Sequence, residues 1–224
     1  MNFEDKDTPL TGFLENVAGV LEANQARSVR IRDSYINAGI DLLNEERLGH
    51  VTIPDLATLC GCSVGSFYTR FKDKEAYFRA LRVTTIHACN MEIDRRVTVE
   101  ALKKLGPKKG LEELVDLMSD LFTSRYRGVL RESLLRILEP DDPWAPMRDS
   151  ARGIMANYHQ AFENAFEGYK PKEARRRLSF CFQMIVGVLQ NDLVNDYHVF
   201  STKDKSLRNG LREAVLHYMN FGDR

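Results

Sequence analysis

Val51-Thr52-Ile53-Pro54-Asp55-Leu56-Ala57-Thr58-Leu59-Cys60-Gly61-Cys62-Ser63-Val64-Gly65-Ser66-Phe67-Tyr68-Thr69-Arg70-Phe71 is the stretch on which the reading of the chain turns. Thr52 is placed to cap a helix, because its hydroxyl can accept from a first-turn N–H, and Asp55 stands at the third helical position in the manner of a capping box. Pro54 is tolerated there, since first-turn N–H groups have no intrahelical partner. Ile53, Leu56, Ala57 and Cys60 then share one face of a helix over Ile53–Cys60. Gly61 permits a tight turn, and Ser63 is placed to cap a second helix over Val64–Phe71. Two short helices joined by a Gly-containing turn make a helix-turn-helix.

Working outward, Tyr35, Ile36, Gly39, Leu42 and Leu43 form one apolar stripe at helical spacing. Phe67 and Phe71, four apart, are expected to lock the second helix onto that stripe. Val64, Gly65, Ser66, Tyr68, Thr69 and Arg70 are thereby expected to face outward, and a helix so presented enters a DNA major groove by its N-terminal half. The same residues contain a competing pattern, since Gly61-Cys62-Ser63-Val64-Gly65 matches GxSxG, the nucleophile elbow of α/β-hydrolases. That elbow needs a buried strand before the serine. Here the preceding segment reads as a capped helix, so Ser63 is assigned to capping and no enzymatic activity is expected.

Helical periodicity continues through the rest of the chain. Leu111, Leu114, Val115, Met118, Leu121 and Phe122 make one stripe, and Ile154, Met155, Tyr158, Phe162 and Phe166 another. Breaks fall at Gly106-Pro107, 139–143, 168–171 and Ser201-Thr202. The triplets Val51-Thr52-Ile53 and Val97-Thr98-Val99 lean toward β but are too short to commit to a sheet. The expectation is an all-α chain of about nine helices with an N-terminal arm, in which Leu10 to Leu21 suits a short amphipathic helix.

Apolar residues make up 43% and charged residues 29% of the 224, which argues for a globular chain rather than a disordered one. Bulk charge is balanced, with 32 basic and 32 acidic residues, so only local charge bears on a nucleic-acid partner. Residues 1–24 carry five acids and one base, whereas 25–82 carry nine bases and seven acids. The longest apolar stretch without a charge, Leu178 to Asn191, has 14 residues, too short to span a bilayer. Cys60, Cys62, Cys89 and Cys181 form no CxxC pair or zinc-like spacing, and the His residues do not pair, so no metal or cofactor is expected. Cys60 and Cys62 read as small packed side chains rather than a thiol switch. With no signal peptide, the pattern suits a reduced, cytoplasmic protein.

The run Val51 to Ala57, followed by Gly61 through Phe71 and on through Lys72-Asp73-Lys74-Glu75, resembles the DNA-binding domain of the TetR family of bacterial regulators. The resemblance extends back through Tyr35–Leu43 and rests most firmly on Tyr68-Thr69-Arg70-Phe71-Lys72-Asp73-Lys74 after the Gly-x-Ser turn. Arg47 stands where Gly often ends the first helix, with Gly49 supplying that break, and Cys60 and Cys62 replace commoner residues.

The resemblance implies an arm over 1–24, a DNA-binding domain over 25–76 and a ligand-binding and dimerisation domain over 77–224. Thr52, Tyr68 and Lys74 match phosphate-holding positions, while Val64, Gly65, Ser66, Thr69 and Arg70 match positions that meet base edges or nearby phosphates, beside Ser63 at the helix start. Arg70 is the outward side chain able to make a bidentate contact with guanine. Ligand-pocket candidates are His87, Met91, Met118, Phe122, Tyr126, Leu134, Trp144, Met155, Tyr158 and Phe182. Dimer candidates lie on helices near Lys172–His198 and Lys203–Phe221, namely Met184, Ile185, Gly187, Val188, Leu211 and Val215. The function implied is a homodimeric repressor released from a palindromic double-stranded DNA operator by a small-molecule effector. The alternative is a ligand-binding module that keeps the fold without specific DNA recognition.

Overall fold

The structure is a computed structural model that describes residues 14, 16–22, 25–195, 200 and 205–221. Among these residues there are ten helices: α1 (Ala26–Glu45), α2 (Ile53–Leu59), α3 (Val64–Tyr68), α4 (Lys74–Arg96), α5 (Val99–Leu105), α6 (Pro107–Thr123), α7 (Arg127–Leu135), α8 (Ala145–Phe162), α9 (Pro171–Asn195) and α10 (Ser206–Tyr218). No strand occurs among them; Val20 and Phe71 form an isolated antiparallel bridge. The two β-leaning triplets turn out to be helix starts. Thr52 and Thr98 hold extended dihedrals and accept from Asp55 N and Ala101 N, respectively. Thr98 and Ser124 mark two helix boundaries without any Gly or Pro signal, so the breaks legible in the sequence do not locate them.

The chain packs into two compact units. One takes in the chain through Cys89 together with Ser124–Pro143; the other comprises Asn90–Thr123 and Trp144 onward. The expected DNA-binding stretch, 25–76, therefore lies wholly within the first, which also holds α7.

In the first unit, α1 buries Tyr35, Ile36, Gly39, Ile40 and Leu43, a stripe with the helical period. Tyr35, Phe67, Phe71 and Tyr77 form an aromatic nucleus with centroids 5.0–6.3 Å apart. Most of these contacts are edge-on, the arrangement favoured by the ring quadrupole. Tyr77 donates its hydroxyl to Tyr35 O at 2.6 Å. Its ring lies where a side chain at position 39 would project, which is why Gly39 sits in the apolar stripe. Burial pushes the Tyr77 phenol well above its ordinary range, so it stays a neutral donor.

Helix α7 closes the same unit against α1. A Cβ on Gly128 would collide with the Leu43 backbone, so glycine allows the two helices to cross closely. Arg131 donates to Leu43 O at 2.8 Å and Glu46 O at 2.7 Å, occupying carbonyls left open at the end of α1. Arg125 bonds Asp41 at 2.9 Å, and Asn44 both donates to Arg125 O and accepts from Gly128 N. Arg136 bonds Glu75 and Glu139 and lies over the Phe78 ring.

The second unit is built on α6, whose buried face includes Leu111, Leu114, Val115, Leu117, Met118, Leu121 and Phe122. Tyr158 on α8 donates to Gly110 O at 2.9 Å, and the Phe162 ring fills the space beside Gly110. The acidic face of α6 is bracketed by arginines. Arg96 bonds Glu113 and Asp120, Arg208 bonds Asp120 at 2.5 Å, and Arg212 bonds Asp116 at 2.6 Å. Leu211 and Val215 of α10 and Ile185 of α9 are buried within the unit.

Candidate nucleic-acid interface

The helix-turn-helix forms as its capping residues require. Thr52 Oγ1 accepts from Asp55 N at 3.3 Å and donates to the Asp55 carboxylate at 2.5 Å. This differs from a full capping box, since the Asp55 carboxylate holds the Thr52 hydroxyl rather than the cap backbone. Gly61 adopts φ +61° at the turn, a conformation that glycine enters without Cβ strain. Ser63 Oγ then accepts from Ser66 N at 3.2 Å and starts α3. The residue before this serine lies in a helical corner and not at the end of a strand, so Ser63 does not have the geometry of a nucleophile elbow.

Helix α3 ends at Tyr68, three residues short of the expected Phe71. The cause is external to the helix. Leu21 N donates to Arg70 O at 2.8 Å and Lys72 N to Gly19 O at 2.9 Å, so the backbone at 70–72 is committed to the N-terminal segment. Leu14 is fully buried in the core of this unit, and the described part of 16–22 forms turns and the bridge rather than the expected amphipathic helix. Residues 10–13 and Glu15 of that expected helix lie outside the described residues.

Thr52, Ser63, Val64, Gly65, Tyr68 and Thr69 are exposed, and Ser66 and Lys74 are half-buried. Tyr68 is 50% exposed, its ring held edge-on by Phe67 at 5.5 Å. Its hydroxyl and the Lys74 ammonium make no bond within the described residues, so both donors are available to an incoming phosphate. Lys72, and Arg27 and Arg30 on the first turns of α1, are likewise exposed. Motif reading assigns none of these three a contact, although Lys72 stands within the motif itself. The local basic excess of 25–82 is the signal in the sequence that points to them.

Arg70 departs from expectation. It is only 8% exposed, and its Nη1 donates to Ser66 O at 2.7 Å, Ser66 Oγ at 3.1 Å and Thr69 Oγ1 at 2.7 Å. Nε and Nη2 reach Ser28 O and Oγ of α1, both at 3.4 Å. The guanidinium thus ties α3 to α1 instead of facing outward, because backbone and hydroxyl acceptors lie within its reach. Cys60 and Cys62 are half-buried against the core; Cys62 Sγ donates to Cys60 O, and burial raises the Cys60 pKa. A thiol held in its neutral form is a poor nucleophile.

The expected ligand-pocket residues are divided between the two units. Tyr126 belongs to the first unit's core, His87 and Met91 are exposed, and Leu134 is a half-buried residue of α7. In the second unit Met118, Phe122, Trp144 and Tyr158 are buried, with Phe122 and Trp144 ring to ring at 6.4 Å, while Met155 and Phe182 are half-buried. A concavity of about 460 Å³ does open in this unit, but Arg96, Ala101, Lys104, Leu105, Lys109 and Glu113 line it. Among the dimer candidates, Ile185, Leu211 and Val215 face their own protomer's core and are corrected on that ground. Gly187 is exposed and Met184 and Val188 half-buried on the other side of α9, beside Phe180 at 49% exposure.

Residues 36–81 match the family model described as bacterial regulatory proteins, tetR family. No curated protein matches the chain. Among solved structures, a Mesorhizobium loti protein assigned to the TetR regulators superposes with a TM-score of 0.63 at 16% identity, covering 86% of this chain and 98% of that one. A Vibrio parahaemolyticus protein of the same assignment gives 0.55 at 17% identity, over 84% and 97%. A third, from Rhodococcus, gives 0.51 at 13%, over 85% and 97%. At these identities the structures speak to the fold, and the matched segment carries the reading head itself. Residues 36–81 thus form a DNA-binding segment of the tetR type, carried on a chain whose helical fold is that of these structures.

Proposed function

We propose that the protein is a homodimeric repressor that holds a palindromic operator and releases it when a small molecule binds. The observation that supports this most directly is the set of available donors on the head. Tyr68, Lys74 and Lys72 lie on a rigid, capped frame with no partner to displace among the described residues, as phosphate-positioning groups require. Thr52 joins them only by surrendering its bond to Asp55. Exposed Val64, Gly65 and Thr69 are left to meet base edges.

Two heads are needed to read two half-sites. The outer face of α9, with Phe180, Met184, Gly187 and Val188, is apolar enough to pair with its copy, and an isologous contact buries such a face on both protomers. The buried ring pair of Phe122 and Trp144, with Met118 one turn back along α6 and also buried, supports an apolar effector, which must open that packing to enter. No helix among the described residues is long and apolar enough to cross a membrane, and a cytoplasmic location is part of the proposal. Selection of binding sites from random duplexes tests the reading: a palindromic consensus supports it, whereas enrichment of no sequence favours a module without specific recognition.

A further inference from the structure

We infer that Leu14 and residues 16–22 are a working part of the DNA-binding head, a clasp that holds the corner Arg70–Lys74 in the geometry its lysines need to grip phosphates. The attachment is made by backbone and by packing. Leu14 is fully buried in the core of the first unit, with Val17 and Val20 packed against it. Val20 bridges Phe71, Leu21 N donates to Arg70 O at 2.8 Å, and Lys72 N donates to Gly19 O at 2.9 Å. Arg79 Nε adds a bond to Ala18 O at 3.1 Å.

Gly19 makes the path possible. It sits at φ +83°, and a Cβ there would stand 2.7 Å from Ala76 Cβ in the first turn of α4. Only glycine passes so close to α4 in that conformation. On its other side the corner is tied by the Arg70 guanidinium to Ser66, Thr69 and Ser28, and Asp73 Oδ1 caps α4 by accepting from Ala76 N at 2.7 Å. Between these ties lie Lys72, exposed, and Lys74, the first residue of α4, both without a side-chain partner among the described residues.

The acidic character of residues 1–24 does not explain this attachment, since Ala18, Gly19 and Leu21 engage the head through backbone atoms. What the segment contributes is geometry. A corner released from the clasp no longer holds Lys72 and Lys74 on phosphates, so those contacts and the counterions they release are lost. At ~0.1 M salt each lost phosphate contact weakens binding by about tenfold.

The inference rests on the DNA-binding reading, and the test separates the two. Full-length Leu21→Pro removes the N–H that bonds Arg70 O, and Gly19→Val blocks the passage beside Ala76. Leu21→Ala changes only an exposed side chain and serves as the control. Each protein is titrated against a mixed-sequence duplex of about three helical turns over a range of salt concentrations, with hydrogen exchange followed at the Lys72 amide. Both disruptive variants are expected to exchange Lys72 faster, to bind about tenfold more weakly, and to show a salt slope lower by about one unit, for each phosphate no longer held. A mere loss of folded protein lowers the active fraction and leaves the slope unchanged, so an unchanged slope overturns the inference. Faster exchange with unaltered affinity also overturns it, as does tighter binding, which would make the segment an inhibitory arm. If wild type ignores duplex DNA at low salt, the DNA-binding reading falls, and the inference with it.

Discussion

Replacing Arg70 with alanine separates two roles open to the same residue. As a base reader it would project into the groove; in the structure it is a bracket, 8% exposed, with three Nη1 bonds of 2.7–3.1 Å to Ser66 and Thr69 and longer ones to Ser28. Hydrogen bonds from a charged group contribute ~1.5–3 kcal/mol each, but water can replace part of them at half-buried Ser66 and Ser28. The net loss for Arg70→Ala is therefore about 2 kcal/mol, toward the upper half of ordinary substitutions. In a chain of this size that lowers Tm by about 4–8 °C. Arg70→Lys keeps the charge but cannot span Ser66 and Ser28 with one ammonium, so it should recover less than half of the loss. Thermal melts and binding to single-base operator variants read both quantities. DNA affinity should fall evenly across the panel, because the whole head loosens. An unchanged Tm with lost preference at one symmetric base pair would refute the bracket and return Arg70 to base reading.

Gly187→Glu meets open space within its own protomer, so the variant should fold normally and sediment as a monomer; if it still sediments as a dimer, the interface lies elsewhere. Lys74→Ala should weaken specific and non-specific binding alike and lower the salt slope by about one unit per contacting subunit, with Tyr68→Phe a weaker version of the same change. Bonds from Arg95 hold the Glu92 carboxyl below its usual range, so its contribution to stability is present above the unfolded pKa of ~4.3 and is lost as pH falls through the lower folded value. Glu92→Gln should flatten that acid limb of a stability profile and leave the neutral-to-alkaline side without a matching pH dependence. Burial pushes the Cys89 and Cys181 thiols up to about 12, so an alkylating reagent at pH ~8 should label neither in the native protein while labelling both once it is unfolded.

The parts of this fold that local chemistry controls are legible in the sequence. Thr52, Ser63 and Gly61 announce two caps and a turn, and Phe67 and Phe71 announce their packing on Tyr35, because each signal acts within a few residues or along one helix face. What stays hidden depends on contacts distant in sequence. Arg70 lies at the position of an outward residue, and only the arrival of Ser28, 42 positions earlier, turns it inward. The end of α3 is set by Gly19 and Leu21, whose own stretch has the look of an amphipathic arm. For α9 and α10 the apolar period is plain, but period alone does not say which of two apolar faces meets the protomer's own core. Ile185, Leu211 and Val215 take the inner face, leaving Gly187 and Met184 outside.

Helix α7 shows how such a chain can carry a signal. It lies in sequence between α6 and α8 of the second unit yet packs with the reading head, so the chain passes from one unit to the other at three places: within α4, after Thr123 and after Pro143. On the proposed reading, an effector that shifts α6 acts on one end of α7 through the connecting chain, and one that shifts α8 acts on the other. Helix α7 in turn holds α1 through the Gly128 crossing, the Asn44 bonds and the Arg131 cap, contacts too close and too specific to slide gradually. Coupling of this kind needs an effector that binds one arrangement better than the other, since equal affinity for both shifts nothing. Gly128→Ala addresses that step directly. By forcing α7 away from α1 it should alter how effector binding changes DNA affinity, while the donors Tyr68 and Lys74 remain in place to bind DNA in the absence of effector. Titrating operator DNA with and without effector reads the coupling, and a variant whose effector response matches wild type would show that the signal does not pass through this crossing.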